Sequence, residues 1–355
     1  MSASVCLDVA ALTRWHATVT PMRRTHLSLA TALAAVALAP AVTAAADTGK
    51  DDPSSYVFGV IGDVPYGADQ VAAFPGWIDQ ISADPDVRFV AHVGDIKNGS
   101  SVCSDEYFDF IRTQFDRLDT PLVFTPGDNE WTDCHRLNNG PYDPYERLDA
   151  LRATFFPEPG VTLGARTMKV DAQPGFPENV DWRAAEVTFT TAHVVGSNNG
   201  MSPWTGASEP NARQVAEVAA RNEANIAQLR EAFAEAEQRD DRAVVVFQQA
   251  DMFDPTYTPT FADVYAFKSW VQALVDESEA FGRPVYLIDG DSHVYNVDRP
   301  LAAGSKWLGL YGVDGAADNL TRITVDGSSN NTDWLEVRVH RSGSEVLTWE
   351  QVPYR

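Results

Sequence analysis

Residues 57–63 read VFGVIGD, an apolar run that ends directly in a Gly-Asp pair. The same order recurs three times, since residues 89–95 read FVAHVGD, residues 122–128 read LVFTPGD and residues 285–291 read VYLIDGD. Short apolar runs bounded by glycine, proline or charge are typical of buried strands. The chain contains no other Gly-Asp dipeptide. Each of the four pairs is therefore expected at the end of a strand.

Amphipathic segments separate the apolar runs. Ser104 is placed to cap a helix whose apolar face recurs every three or four residues up to Phe115. The same spacing predicts helices from Val215 to Ala236 and from Val264 to Leu274. Alternating strands and helices favour a mostly parallel or mixed sheet with helices outside it. The sequence therefore indicates the α/β class.

The C-terminal region has a different pattern. Thr321–Val325, Trp334–Val339 and Glu345–Glu350 are typical of short strands and have no helix between them. We expect an edge meander of the same domain. Because no linker interrupts the chain, a single domain is predicted from residue 52 to residue 355.

The N-terminal region has the parts of a secretory signal peptide. Arg23 and Arg24 follow Met22, an apolar run extends from Leu27 to Val42, and residues 43–46 read TAAA. The run is shorter than the roughly 20 residues that span a bilayer. Residues 1–46 are therefore predicted to be an N-terminal extension and a signal peptide, with Met22 as the true start. Cleavage would release a secreted, periplasmic or extracellular protein without stable membrane insertion, and an uncleaved anchor is the alternative.

The charge balance limits the possible partners. The chain has 27 Lys and Arg against 50 Asp and Glu, a formal net charge of −23. An acidic surface repels phosphate backbones, so no nucleic-acid partner is expected.

The cysteines agree with export. Cys6 precedes Met22, which leaves Cys103 and Cys134 as an even pair. In an oxidising compartment such a pair indicates a disulfide. Two buried free thiols are the alternative.

The four strand-end aspartates suggest a metal site. Ligands of open α/β sheets bind beyond the carboxyl ends of the strands, where these carboxylates would gather. Four carboxylates in one place repel each other unless multivalent cations hold them together. The alternative is that each aspartate merely forms a turn or caps the helix that follows.

The order of the blocks resembles the calcineurin-like metallophosphoesterase family. That pattern runs D-x-H, G-D, G-N-H-E, a strand ending in histidine, and G-H-x-H. The corresponding blocks here read GDVPY (62–66), HVGD (92–95), GDNEW (127–131), FQQAD (247–251) and GDSH (290–293). The resemblance implies a four-layer α/β/β/α sandwich. It also implies hydrolysis of small phosphate mono- or diesters by a metal-activated water.

The resemblance also implies two sets of metal ligands that share Asp95. The first metal would be held by Asp63, Asp95 and His293, and the second by Asp95, Asp128, Gln249 and Asp291. Carboxylate and amide oxygens replace several histidines of the pattern. We therefore expect one or two divalent ions, with Mn, Mg, Ca or Fe favoured over Zn.

Two substitutions bear on catalysis. Pro65 replaces the first histidine of the pattern, and Asn129 replaces the histidine that assists phosphate binding or protonates the leaving group. Asn129 occupies that catalytic position, and His135 or His92 could supply the proton in its place. The alternative for His92 is a core histidine, because it lies within an apolar run.

Three further residues are candidates for supporting roles. Glu130 is expected to orient a ligand by hydrogen bonding without binding metal itself. Asn198 and Asn199 could contact phosphate, although a hairpin turn explains them equally well.

Two other functions remain open at this level. A catalytically impaired exported module could bind metal or a phosphorylated ligand, which the loss of two histidines favours. Metal-assisted hydrolysis of a different ester would differ only in its pocket. The chain contains no Gly-x-Ser-x-Gly elbow, P-loop or Cys-x-x-Cys pair.

Overall fold

The computed structural model describes residues 55–355, so the predicted signal peptide and start at Met22 lie outside the described residues. In chain order the strands are β1 (Tyr56–Ile61), β2 (Val87–His92), β3 (Leu122–Phe124), β4 (Asp171–Gln173), β5 (Phe176–Ala184), β6 (Val187–Thr191), β7 (Ala243–Phe247), β8 (Val285–Asp289), β9 (Asn296–Asp298), β10 (Leu320–Thr324), β11 (Asp333–Val339) and β12 (Leu347–Pro353).

The helices lie mainly between these strands. They are α1 (Gly67–Ser82), α2 (Asp105–Phe115), α3 (Pro144–Phe155), the single turn α4 (Gly196–Asn199), α5 (Ala212–Gln238), α6 (Phe261–Val264), α7 (Lys268–Phe281) and α8 (Lys306–Tyr311). Short 3₁₀ segments occur at Thr132–His135, Leu137–Asn139, Tyr265–Phe267 and Ser328–Asn330.

The strands form two mixed sheets. One has the order β12-β11-β1-β2-β3 and the other the order β4-β5-β6-β7-β8-β10-β9. Strands β1, β2 and β3 are parallel to one another, as are β6, β7, β8 and β10. The strands followed by Gly-Asp pairs, β1, β2, β3 and β8, all belong to these parallel sets, which places the aspartates at carboxyl ends.

Three apolar clusters separate four layers. Phe58 and Val60 of β1 pack into the cluster between the sheets, whereas Val57 and Ile61 pack into the cluster beneath α1, α2 and α3. This alternation follows from the two-residue period of a strand. A third cluster joins β7 and β8 to α5, α7 and α8. The layers are α/β/β/α, which confirms the predicted fold class.

The helix signals in the sequence act as expected. The Ser104 hydroxyl accepts a hydrogen bond from the Tyr107 amide and caps α2. Helix α7 ends at Phe281 and is capped by Gly282, whose φ of 65° is left-handed. The segment predicted as one helix from Val264 to Leu274 is interrupted, because Val264 leaves helical geometry at φ −137° and ψ 9°.

The C-terminal strands do not form the single meander predicted from the sequence. Strand β10 pairs in parallel with β8 in the second sheet. Strands β11 and β12 form an antiparallel hairpin, and β11 pairs with β1 in the first sheet. The C-terminal region therefore completes both sheets. In the described part of the chain, no helix is long and apolar enough to cross a membrane.

Candidate metal centre

The four Gly-Asp pairs meet at one place. Ligand atoms of Asp63, Asp95 and His293 lie within 4.8 Å of one another, and so do those of Asp95, Asp128 and Asp291. Asp95 belongs to both groups. These groups are the two ligand sets implied by the family pattern, apart from Gln249.

The glycines make room for neighbouring carboxylates. A Cβ atom on Gly127 would lie 2.0 Å from Asp95 Oδ1, and one on Gly290 would lie 2.2 Å from Asp63 Oδ2. The aspartates themselves adopt left-handed backbone, with φ of 53° at Asp63, 57° at Asp95 and 68° at Asp291. Aspartate tolerates this region better than most residues, but the conformation is strained. Backbone strain is thus concentrated at the carboxylate cluster.

The electrostatics of the cluster fit a cation site. Burial raises the pKa of both Asp95 and Asp291 well above the usual range, and the charge of Asp128 raises both further. Burial also raises the pKa of Asp63, although His293, with its Nε2 atom 3.2 Å from Asp63 Oδ1, opposes that shift. Hard divalent ions offset the repulsion between buried carboxylates. The oxygen-rich donor set therefore fits one or two such ions.

Asn129 and Tyr66 both hold the shared carboxylate. The Tyr66 hydroxyl lies 2.9 Å from Asp95 Oδ2, and Asn129 Nδ2 donates to the same oxygen at 2.6 Å. Asn129 Nδ2 also donates to the Tyr66 hydroxyl oxygen at 2.8 Å. An amide has no titratable proton to transfer. Asn129 therefore positions Asp95 and does not act as the acid of the family pattern.

Glu130 links two of the Gly-Asp turns. Its Oε1 atom accepts hydrogen bonds from the backbone N–H of Asp95 at 3.1 Å and of Gly127 at 2.6 Å. Burial raises the Glu130 pKa to about 7. The buried Lys97 ammonium lies nearby and donates to the Asn129 carbonyl at 2.7 Å. Glu130 thus connects the backbones of the two turns, and its predicted role of orienting a ligand stays a prediction.

Gln249 does not present an oxygen to the cluster. Its Oε1 accepts from the Gly196 N–H at 2.6 Å, and its Nε2 lies 3.4 Å from Asp128 Oδ1. The backbone N–H requires an acceptor, which fixes the orientation of the amide. The predicted role of Gln249 as a metal ligand disagrees with this geometry, because its donor nitrogen faces Asp128.

His92 is a core residue. Its ring packs against Phe115 and Phe124, and its Nε2 lies 3.0 Å from the Val64 carbonyl oxygen. The side chain is buried, and that burial lowers its pKa to about 4. His92 is therefore not placed to protonate a leaving group, and the sequence prediction of such a role is wrong.

His135 lies at the surface, on the loop that follows Asp128. Its Nδ1 accepts a hydrogen bond from the Thr205 backbone N–H at 2.9 Å, so the ring proton resides on Nε2. Partial burial and, secondly, the charge of Arg136 lower the His135 pKa. The adjacent Cys134 is joined to Cys103 in a disulfide, as the sequence predicted.

The two asparagines of the turn α4, Asn198 and Asn199, have different surroundings. Asn199 is buried, and its Oδ1 accepts from the Arg221 guanidinium at 2.5 Å. Asn199 therefore supports the turn and does not face a ligand, contrary to the sequence prediction. Asn198 lines a cavity of about 630 Å³ beside Asp291, with its Oδ1 accepting from the Ala266 N–H at 3.1 Å.

Two further polar side chains, Ser197 and Asp133, belong to the site. The Ser197 hydroxyl donates to Asp128 Oδ2 at 2.7 Å and also lies 3.0 Å from Asp133 Oδ1. Asp133 is buried and forms an ion pair with Arg136 at 2.5 Å. Ser197 precedes the two asparagines that were identified. Asp133 follows no strand and carried no signal.

Comparison with known families supports the interpretation of the first half. Residues 56–182 match the family model described as calcineurin-like phosphoesterase. The matched segment runs from β1 into β5 and contains Asp63, Asp95 and Asp128. It does not include Asp291 and His293, which the fold brings to the same cluster.

Several solved structures are similar to the chain at low identity. The anchor protein of the inner membrane complex of Plasmodium has a TM-score of 0.42 and 11% identity, covering 85% of this chain and 89% of that chain. A putative 5′-nucleotidase from Staphylococcus aureus has a TM-score of 0.41 and 15% identity, and the match covers 84% of this chain and 54% of that chain. The NAD nucleotidase of Haemophilus influenzae has a TM-score of 0.41 and 10% identity, with 84% and 50% covered. The chain spans about half of each nucleotidase structure, and no match was found among curated proteins.

Proposed function

We propose that this chain is an exported, metal-dependent enzyme that hydrolyses small phosphate mono- or diesters. Its residues 56–182 match the family model described as calcineurin-like phosphoesterase, a family of metal-dependent hydrolases of phosphoric esters. The observation that supports this proposal is the pair of ligand groups that share Asp95. A shared carboxylate is suited to bridging two ions that clamp one phosphoryl group.

The proposed ligands are those whose donor atoms meet. They are Asp63, Asp95 and His293 in one group and Asp95, Asp128 and Asp291 in the other. These residues would hold divalent ions, which would supply Lewis acidity for a water nucleophile and positive charge for the phosphoryl oxygens. The donor set favours Mn, Mg, Ca or Fe over Zn.

The neighbouring polar groups orient the proposed ligands. Asn129 and Tyr66 fix one oxygen of Asp95, while Ser197 and Gln249 contact the two oxygens of Asp128. Such hydrogen bonds restrict the rotation of a carboxylate and set which oxygen faces a cation. The preorganised carboxylates would then hold divalent ions, whose positive charge would bind the phosphate ester.

His135 is the proposed source of a proton for the leaving group. Its Nδ1 is occupied by the Thr205 N–H, which leaves Nε2–H as the donor. The side chain is only partly buried and follows the Asp128 turn, so substrate could approach it. Of the side chains predicted for this step, Asn129 and His92 are committed to other contacts.

A second function is a non-catalytic metal-binding module. It is favoured by Asn129, whose amide is engaged with Asp95 at the position where the family pattern has a histidine.

Export rests on residues 22–46 alone. Sequencing the N-terminus of protein recovered from the culture medium tests it, and recovery of the uncleaved chain only in membranes would contradict it.

Metal content and hydrolysis should be measured together. The chain from residue 51 is purified, its bound metals are quantified, and aryl phosphate mono- and diesters are assayed with and without Mn²⁺. Asp95→Asn should lose both metal and turnover, whereas Asp109→Asn, an exposed change on α2, is the matched control. Bound metal without turnover supports the binding module, and absence of bound metal contradicts both functions.

A further inference from the structure

The cavity beside the aspartate cluster has an acidic lining. Among the described residues, its lining contains no lysine, arginine or histidine. The acidic side chains are those of Glu209, Asp251, Asp254, Asp263 and Asp291. Because Asp291 also belongs to the aspartate cluster, the cavity lies directly next to the candidate metal centre. Its volume of about 630 Å³ is sufficient for a small organic group.

Two buried polar side chains, Asp251 and Ser292, belong to the lining. The Asp251 side chain is 1% exposed, and its Oδ1 pairs with the buried Arg322. Its Oδ2 and the Ser292 hydroxyl are buried, and the two side chains interact with each other without a well-aligned hydrogen bond. Buried polar atoms are normally satisfied by protein, water or ligand. The Asp251 carboxylate therefore adds negative charge to the cavity wall, which favours a ligand that brings positive charge or donors.

Aromatic rings complete the lining. Tyr257 is 49% exposed and Tyr265 is 38% exposed, although large aromatic side chains usually bury more of their surface. Aromatic faces and carboxylates together attract alkylammonium groups, through the ring quadrupole and through charge. The same carboxylates repel an anionic group such as a second phosphate.

We propose that this cavity binds the alcohol part of the substrate, and that the substrate is a phosphate ester of an amino alcohol with a charged ammonium group. This inference rests on the proposed phosphoesterase function and specifies its substrate class. In the reaction, water adds its oxygen to phosphorus, the P–O ester bond breaks, and the amino alcohol leaves with a proton. The ammonium group takes no part in these bond changes and serves only for recognition.

The test compares two esters of the same shape. Phosphocholine and 3,3-dimethylbutyl phosphate differ by a quaternary nitrogen in place of a quaternary carbon. With Mn²⁺-loaded protein, kcat/KM for phosphocholine should exceed that for 3,3-dimethylbutyl phosphate by a factor of roughly five or more. The Asp254→Asn, Glu209→Gln double variant should bring the ratio close to one, mainly by raising KM for phosphocholine. The Asp109→Asn, Asp149→Asn variant removes the same charge from α2 and α3, outside the cavity, and should keep the preference.

Failure of this inference can be told from failure of the proposed function. Aryl phosphate turnover with equal kcat/KM for the two esters overturns the substrate class and leaves the phosphoesterase intact. If no ester is hydrolysed, calorimetric titration with choline and with 3,3-dimethyl-1-butanol still tests the cavity, because binding needs no turnover. Binding of choline alone, weakened in the double variant, supports the cation site. Absence of choline binding overturns it.

Discussion

Replacing Glu130 by alanine should destabilise the protein by several kcal/mol. One carboxylate oxygen accepts from two backbone N–H groups, those of Asp95 and Gly127. Both lie in the interior, so alanine leaves two buried donors without a partner. Each such donor costs about 1–3 kcal/mol, which gives about 2–6 kcal/mol before the cavity left by the side chain is added. That is a large part of the roughly 5–15 kcal/mol by which proteins are stable.

Glu130→Gln is the matched control. Glutamine keeps an oxygen that can accept from both N–H groups, and it removes the negative charge near Lys97. The other carboxylate oxygen of Glu130 has no hydrogen-bond partner in the described residues. The amide that replaces it therefore loses no protein hydrogen bond, and Gln should cost less than half as much as alanine.

Urea unfolding at neutral pH measures the difference. The free energy of unfolding is compared for wild type, Glu130→Ala and Glu130→Gln in the presence of EDTA, so that metal binding does not contribute. Equal losses in both variants would mean that charge, and not the shared acceptor, is what Glu130 provides. A loss below about 1 kcal/mol in the alanine variant would refute the reasoning outright.

Three further predictions follow from the same geometry. Gly127→Ala should weaken Mn²⁺ binding at least roughly tenfold, because its Cβ would lie 2.0 Å from Asp95 Oδ1; unchanged affinity by titration would contradict the close packing. The Cys103–Cys134 disulfide joins residues 31 positions apart, and its reduction by dithiothreitol should lower the free energy of unfolding by about 3–4 kcal/mol. The Cys134→Ser variant has no disulfide to reduce, so dithiothreitol should leave its free energy of unfolding unchanged. Burial raises the pKa of Asp95 and Asp291 in the folded state. Their protonated forms therefore contribute fully to the free energy of unfolding below about pH 4, and this contribution is lost as the pH rises through the raised pKa. Metal-free protein should therefore lose stability toward neutral pH relative to an Asp95→Asn, Asp291→Asn variant, and equal pH profiles would show that these groups do not contribute.

The strand-end aspartates could be predicted because their placement follows from local sequence. Each apolar run predicts a buried strand, and parallel strands bring their carboxyl ends to one edge. Predicting the position of these aspartates required no knowledge of which strands pair; they are Asp63, Asp95, Asp128 and Asp291. Whether a strand joins one sheet or the other depends on distant partners instead, which is why β10 was expected beside β11 and was found beside β8.

The supporting residues could not be predicted in the same way. The orientation of Gln249 is set by the Gly196 N–H, which is remote in sequence. Asn199 looked like an anion-binding residue until Arg221 was found to hold its side chain. The sequence shows which polar groups are present, but the identity of their partners emerges only from the packing of separate elements.

The two amides at histidine positions of the family pattern have a common consequence. Asn129 and Gln249 direct N–H groups at Asp95 and Asp128. Gln249 therefore turns a coordinating position of the pattern into one that orients a carboxylate, and Asn129 does the same at the position of the histidine that assists phosphate binding or protonates the leaving group. A centre built this way has fewer protein ligands per ion and more positions open to water and substrate. The same amides stabilise the ionised aspartates by hydrogen bonding, which offsets part of the repulsion between carboxylates held close by Gly127 and its counterparts. Fewer ligands and partly compensated charge both act to weaken metal binding relative to a histidine-rich site, so the amide at Gln249 should lower metal affinity, whereas the amide at Asn129 should affect the chemistry at phosphorus.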